Sequence, residues 1–262
     1  MLKLDEPFYE MEIKTSGCLI EILINDFPVF SNYENGGMAV DWPLNDAILK
    51  SDTYYFKITV LPIETGKNIL KQATVDIKIF VKEANKQFLG RKQIYEMQTI
   101  DFKNKDLPIY YYQDKFIVEV PYENKGWSKS IDLSREKEES LFQQLTIEIE
   151  NIKNLLKSKN IKHYKDVYKD RLNEHNTSFY LTQTEIIDNE DSFFYGLPEN
   201  FRSIDIKNYK LVFYGNNRLV GLKSIGQPAG FVYESDNKDE YGFTEMILFH
   251  RKEEGTPLIV IR

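Results

Sequence analysis

Ala73-Thr-Val-Asp-Ile-Lys-Ile-Phe-Val81 alternates apolar and polar residues, and this alternation predicts a β-strand with one buried face. Near Asp132 the pattern changes to a long, highly charged segment with an apolar stripe at spacings of three and four, formed by Leu141, Leu145, Ile149, Ile152 and Leu156. That spacing predicts an amphipathic helix, because such residues share one side of a helix. The switch near Asp132 therefore predicts an α+β protein in two parts.

The first part is rich in short runs of branched and aromatic residues that are separated by turn signals such as Asn35-Gly-Gly37. The same alternation occurs at Met11, Ile13, Cys18, Ile20, Ile22, Ile24, Tyr54, Phe56, Ile58 and Val60. Such strands bury one side and leave the other in water. We therefore predict an antiparallel β-sandwich over residues 1–120.

Residues 121–131 are predicted to form a linker, and residues 132–262 a second domain. Its first helix is expected to begin near Asp132 or Ser134, and Gly215-Asn-Asn217 predicts a tight hairpin because Gly and Asn tolerate positive φ. Two helices packed on a curved antiparallel sheet, cystatin-like or cone-like, are the expected layout. The predicted elements after the first helix are a helix over 160–174 and strands over 179–187, 211–214, 218–222, 230–233, 241–250 and 258–261.

Charge and composition narrow the function. The net charge of −7 disfavours nucleic acid as a partner, because neutralising phosphates requires a dense basic face. No apolar run is long enough to cross a bilayer, and the start lacks a secretory pattern, so a cytoplasmic location is expected, or a periplasmic one if a signal had been removed. Cys18 is the single cysteine and is predicted to be a buried structural residue.

Motifs for catalysis are missing from the sequence. The three histidines, His163, His175 and His250, lack the helical spacing that lets two bind one metal, and the common nucleophile-elbow, P-loop and dinucleotide signatures do not occur. No cofactor is therefore predicted. His250 next to Arg251 has the chemistry of a general base, although a packing role is the more ordinary one.

Two acidic runs with neighbouring aromatics are the candidate binding residues. By default both are solvated loops, but side by side they would form an acidic patch for a basic protein, in which aromatic anchors supply burial and carboxylates steer the encounter. The candidate residues are Glu190, Asp191, Phe193, Phe194, Tyr195, Asp236, Asp239, Glu240 and Tyr241.

Two resemblances add expectations. Residues 42–62, with Asn45 before an alternating strand, resemble the corner of jelly-roll accessory domains, some of which bind carbohydrate. That resemblance implies stacking by Trp42, Tyr54, Tyr55 and the run 110–112. Residues 211–222, 246–251 and 257–262 are similar to uncharacterised bacterial proteins associated with interbacterial toxin and type VI secretion systems.

Three functions follow as hypotheses. The first is a non-catalytic bacterial binding protein, an immunity or accessory protein whose partner is a protein such as a basic toxin. The alternative is a carbohydrate-binding or carbohydrate-active enzyme, in which Glu185 and Glu245 would serve as acid and base. The third is a structural assembly subunit.

Overall fold

The computed structural model describes residues 4–34, 36–86, 90–203, 205–235, 237 and 242–262. Within these ranges the protein is α+β, and every strand pairing is antiparallel. The chain divides into two compact units, one holding the described residues up to Asn124 together with Ser178–Tyr180, the other holding Lys125–Thr177 and Leu181–Arg262. None of the described helices combines the length and apolar character that crossing a membrane requires.

Two antiparallel sheets make up the first unit. Their strands are β1 (Pro7–Ser16), β2 (Leu19–Ile24), β3 (Phe27–Asn32), β4 (Gly37–Pro43), β5 (Asp52–Leu61), β6 (Thr74–Glu83), β7 (Arg91–Glu96), β8 (Ile100–Asp101) and β9 (Tyr110–Val118). One sheet has the order β4-β1-β6-β7 with β8 also on β6, and the other has the order β3-β2-β5-β9.

Alternation along these strands places one face of each sheet in the core. In β6, Val75, Ile77 and Ile79 are fully buried while the residues between them are more open, as predicted. Aromatic rings join the two inner faces, since Phe56 on β5 lies 5.2 Å edge-on from Tyr95 on β7. Each large apolar side chain removed from water contributes about 1.5–3 kcal/mol to folding, so this shared interior stabilises both sheets.

The second unit contains more helices than the sequence indicated. They are α1 (Glu138–Ser158), α2 (Ile161–Val167), α3 (Lys169–Ser178) and α4 (Gln183–Gly196). The predicted stripe from Leu141 to Leu156 is the buried face of α1, but Asp132 caps a separate 3-10 turn before that helix. The helix predicted over 160–174 is divided between α2, which Asn160 caps, and α3.

The strand predicted over 179–187 is wrong, because most of this segment belongs to α4. Thr182 accepts a hydrogen bond from the backbone N–H of Glu185, and the Glu185 carboxylate accepts one from the backbone N–H of Thr182. This reciprocal capping box satisfies amides that a helix start otherwise leaves unpaired. The local cap therefore outweighs the β-branched and aromatic composition of the segment.

Two short sheets complete the second unit. Their strands are β10 (Phe201–Ser203), β11 (Tyr209–Tyr214), β12 (Leu219–Ser224), β13 (Phe231–Ser235), β14 (Phe243–Glu245), β15 (Phe249–His250) and β16 (Ile259–Val260). The orders are β10-β13-β14 and β11-β12-β15-β16. The predicted 215–217 hairpin is confirmed, with positive φ at all three residues.

A single strand over 241–250 is not formed in the described part of that range. β14 and β15 lie in different sheets, and the backbone between them turns towards the end of the chain, where Ile261 N donates to Leu248 O at 3.0 Å. The core of this unit joins the buried face of α1 to Tyr164 and Tyr168 and to the inner residues of both sheets.

Candidate binding face on the fourth helix

The buried side of α4 accounts for three of the predicted binding residues. Phe194 is buried, and its ring lies 5.1 Å from that of Tyr164, while Phe193 stacks on the same tyrosine at 5.4 Å. Glu190 is half-buried, and its carboxylate lies 2.5 Å from Lys165 Nζ. Phe193, Phe194 and Glu190 therefore hold α4 in place within a helix and not on the predicted loop. Their contact with a partner stays a prediction.

Asp191 and Tyr195 do lie in solvent. Tyr195 is 92% exposed, the highest value among the exposed large hydrophobic side chains described, and Asp191 is exposed one turn before it. The other predicted residues, Asp236, Asp239, Glu240 and Tyr241, lie outside the described residues. Whether the two acidic segments lie side by side stays a prediction.

One side of α4 faces water along its whole length. At 100° per residue, five exposed residues fall within an arc of about 100°. We call them the α4 face: Thr184, Ile187, Asp188, Asp191 and Tyr195. Ile187 is 47% exposed, and it lies about 12 Å along the helix axis from Tyr195 at a rise of about 1.5 Å per residue.

The composition of the α4 face suits recognition of a protein. Ile187 and Tyr195 supply apolar area at two points, and Asp188 and Asp191 place two carboxylates between them. The face carries no basic side chain, so its charge complements a basic surface. A helix that displays anchors at such spacings fits a groove or a flat patch on a partner.

Sequence reasoning missed Ile187 because it assigned that residue to a strand. The signal was Thr182-Gln-Thr-Glu185, a capping-box pattern directly before the acidic run. A helix starting at Gln183 brings Ile187, Asp191 and Tyr195 onto one side at intervals of four residues. A strand would have placed all three on one face as well, but with a different set of neighbours.

Glu185 and Glu245, the proposed acid–base pair, have separate surroundings. Glu185 is exposed, and its bonds to Thr182 lower its pKa. Glu245 is buried, and its Oε1 accepts from Tyr168 OH at 3.0 Å and from Arg171 Nη1 at 3.3 Å. Burial raises the pKa of Glu245, and Arg171 and Tyr168 oppose that rise. Each carboxylate therefore has structural partners of its own, and the two share none of those bonds.

His250 and Cys18 pack into the interior. His250 is buried with Nδ1 2.6 Å from Ser130 Oγ, and burial together with Lys252 lowers its pKa from 6.5 to about 4. Cys18 is buried, as predicted, and burial raises its pKa to about 11. Among the residues that the structure describes, no three His, Cys, Asp or Glu side chains are grouped as metal ligands.

Most of the predicted sugar-stacking aromatics are occupied elsewhere. Tyr54 is buried, Trp42 packs edge-on against Phe30 at 5.2 Å, and Tyr112 shares a hydrogen bond with Tyr95 at 2.8 Å. Tyr110 packs against Phe102. The rings of Tyr55 and Tyr111 are accessible to solvent, with 60% and 55% exposure.

No family model, curated protein or solved structure matches this chain.

Proposed function

We propose that this protein is a non-catalytic binding protein and that its α4 face recognises a basic protein partner. The observation that carries the proposal is the exposure of Tyr195 and Ile187 on one side of a helix whose other side is anchored in the core. An aromatic anchor on a rigid element loses little conformational freedom on binding.

Electrostatics support the choice of partner. Asp188 and Asp191 lie between the two anchors, and the chain as a whole carries a net charge of −7. The two carboxylates and the net negative charge both accelerate encounter with a positively charged protein at low salt. We propose further that the protein is an immunity or accessory protein of an interbacterial toxin system. Its partner would then be such a toxin, and its location the cytoplasm.

The architectural proposals accompany it. We infer that the two sheets of the first unit form a β-sandwich, on the support of the rings that join their inner faces. For the second unit we propose a cystatin-like or cone-like arrangement, with domains over 1–120 and 132–262 and a linker over 121–131. The helices before antiparallel strands support that assignment.

The test is calorimetric titration of the purified full chain with the product of each neighbouring gene in turn. We expect one basic protein to form a stoichiometric complex. Tyr195→Ser should weaken it about 30-fold, the effect of losing an interface anchor worth about 2 kcal/mol. Asp191→Lys should slow association and reduce the salt dependence of the rate.

Tyr111→Ser is the matched control, because it removes a comparably open tyrosine from the other unit. Its affinity should equal that of the unmodified chain. Failure of every neighbouring product to bind, or equal binding by Tyr195→Ser and the control, would contradict the proposal.

A second candidate, carbohydrate binding, is favoured by Tyr55 and Tyr111. They lie on the outer face of the neighbouring strands β5 and β9, with Lys57 Nζ 4.8 Å from the Tyr111 ring centre. Exposed rings on one sheet face can stack on sugars. Affinity electrophoresis in gels containing polysaccharides tests this function: retardation should disappear in Tyr55→Ala with Tyr111→Ala, and no retardation in any gel would rule it out.

A further inference from the structure

An open pocket of about 690 Å³ lies in the second unit, within the size range of small-molecule sites. Its lining includes three arginines, Arg135, Arg218 and Arg251, together with Glu136 and Gln144. None of these residues belongs to the α4 face. The pocket is therefore independent of the proposed protein-binding function.

Strand pairing brings two of the arginines together. β12 and β15 are antiparallel with Val220 opposite Phe249, so continuing that register places Arg218 across from Arg251. Both residues lie just beyond the paired strands. The sheet thus sets two guanidinium groups at one end of the same ladder.

Arg251 is held in a fixed orientation. Its side chain is only 6% exposed, and Nε and Nη2 donate to the two oxygens of Glu136 at 2.9 and 3.2 Å. Nη2 also donates to Gln144 Oε1 at 2.9 Å. These bonds leave Nη1 without a hydrogen-bond partner among the described residues. Because Arg251 lines the pocket, this nitrogen can donate to a ligand.

Arg218 is also anchored, in its case through a single nitrogen. Its Nε donates to the backbone oxygen of Ser130 at 3.0 Å, which leaves both Nη groups without a partner in the described part of the chain. Ser130 is itself fixed, since its hydroxyl lies 2.6 Å from Nδ1 of the buried His250. The pocket therefore offers donors on two arginines that are already positioned, and little side-chain freedom is lost on binding.

The charge balance selects the kind of anion. Arg251 is neutralised by Glu136, and the carboxylates of Asp132 and Glu254 also line the pocket beside Arg135 and Arg218. A group with a single negative charge spread over two oxygens matches the planar donors of arginine. A phosphate dianion would meet the carboxylates of Asp132 and Glu254, which no ion pair in the described part of the chain neutralises.

We propose that this pocket binds the carboxylate of a ligand, with Arg218 and Arg251 donating to its oxygens. The carboxylate belongs either to a small organic acid or to the carboxyl terminus of a peptide. The size of the pocket accommodates several atoms beyond the carboxylate itself.

The test is calorimetry on the full chain at constant ionic strength with five probes: butyrate, butyramide, acetyl-triglycine, its carboxyl-terminal amide and inorganic phosphate. We expect at least one of the two carboxylates to bind at least about 10-fold more tightly than its own amide, because charge-assisted bonds are lost in the amide. The tighter of butyrate and the peptide identifies the source of the carboxylate.

Arg218→Gln should weaken the carboxylate probe by at least about 10-fold, whereas Arg202→Gln, an exposed arginine paired with Glu234 on neighbouring strands, should leave it unchanged. Thermal melting shows whether each variant is folded. If Arg218→Gln does not fold, the comparison of acid and amide on the unmodified chain still tests the proposal. No binding by either carboxylate, equal binding of acid and amide, or tighter binding of phosphate would overturn the proposal.

Discussion

Acidification should destabilise the second unit through His250. The ring is buried, and its pKa is lowered from 6.5 to about 4, mainly by burial and further by the positive charges of Lys252 and Arg262. The negative charge of Asp170 acts in the opposite direction and raises the pKa. The unfolded chain therefore binds a proton more readily than the folded chain below pH 6.5. The stability contributed by the neutral ring is present above that pH and is lost as the pH falls towards 4.

The size of the effect follows from the two pKa values. With an unfolded pKa of 6.5 and a folded pKa of about 4, the free energy of unfolding should drop by about 2 kcal/mol between pH 7 and pH 5. The loss is large compared with a typical stability of about 5–15 kcal/mol.

Urea unfolding followed by tryptophan fluorescence measures this loss. Trp42→Phe leaves Trp127, which is buried in the second unit, as the only tryptophan. In that background His250→Asn removes the titrating ring, so the difference between the two proteins isolates its contribution from all other titrating groups. A difference in stability that is the same at pH 7 and pH 5 would refute the reasoning.

Three further predictions concern stability. Removing residues 257–262, which include β16 and four buried residues, should give an insoluble product without cooperative melting, and a soluble product that melts cooperatively would refute that role. Gly215→Ala should destabilise the folded protein by about 2–4 kcal/mol and so lower its melting temperature, because φ is positive and the new Cβ would lie 2.6 Å from a tryptophan ring. Gly226→Ala is the control: its φ is also positive but its Cβ would meet open space, so it should cost only about 1 kcal/mol. Thr182→Ala should cost about 1 kcal/mol in urea unfolding through loss of the α4 cap, and a similar loss in the Thr184→Ala control would contradict the capping role.

Strand patterns made the first unit predictable. In β6 each second residue faces the core, so Val75, Ile77 and Ile79 carry the signal within the segment itself. The apolar stripe of α1 was readable for the same reason. Local periodicity reports burial directly wherever one side of an element is in water and the other is not.

The α4 segment was not predictable from composition. Its apolar residues favour a strand by propensity, but propensity is a weak preference that caps and tertiary contacts override. Thr182 and Glu185 supply the cap, and contacts of Phe193 and Phe194 with Tyr164 on α2 hold the helix in place. The division of the acidic run into buried and exposed residues depends on those contacts.

The pocket arginines were beyond sequence reasoning for a different reason. Arg218 and Arg251 are far apart in the chain and meet only through the register of β12 and β15. Nothing in either local segment indicates that register.

Hydrogen–deuterium exchange of the chain with and without its protein partner is the most direct test of the α4 face. We predict that binding slows exchange in a peptide covering residues 184–195 and leaves β9 (Tyr110–Val118) unchanged. Unaltered exchange in that helix, in the presence of a saturating partner that protects another surface, would contradict the account.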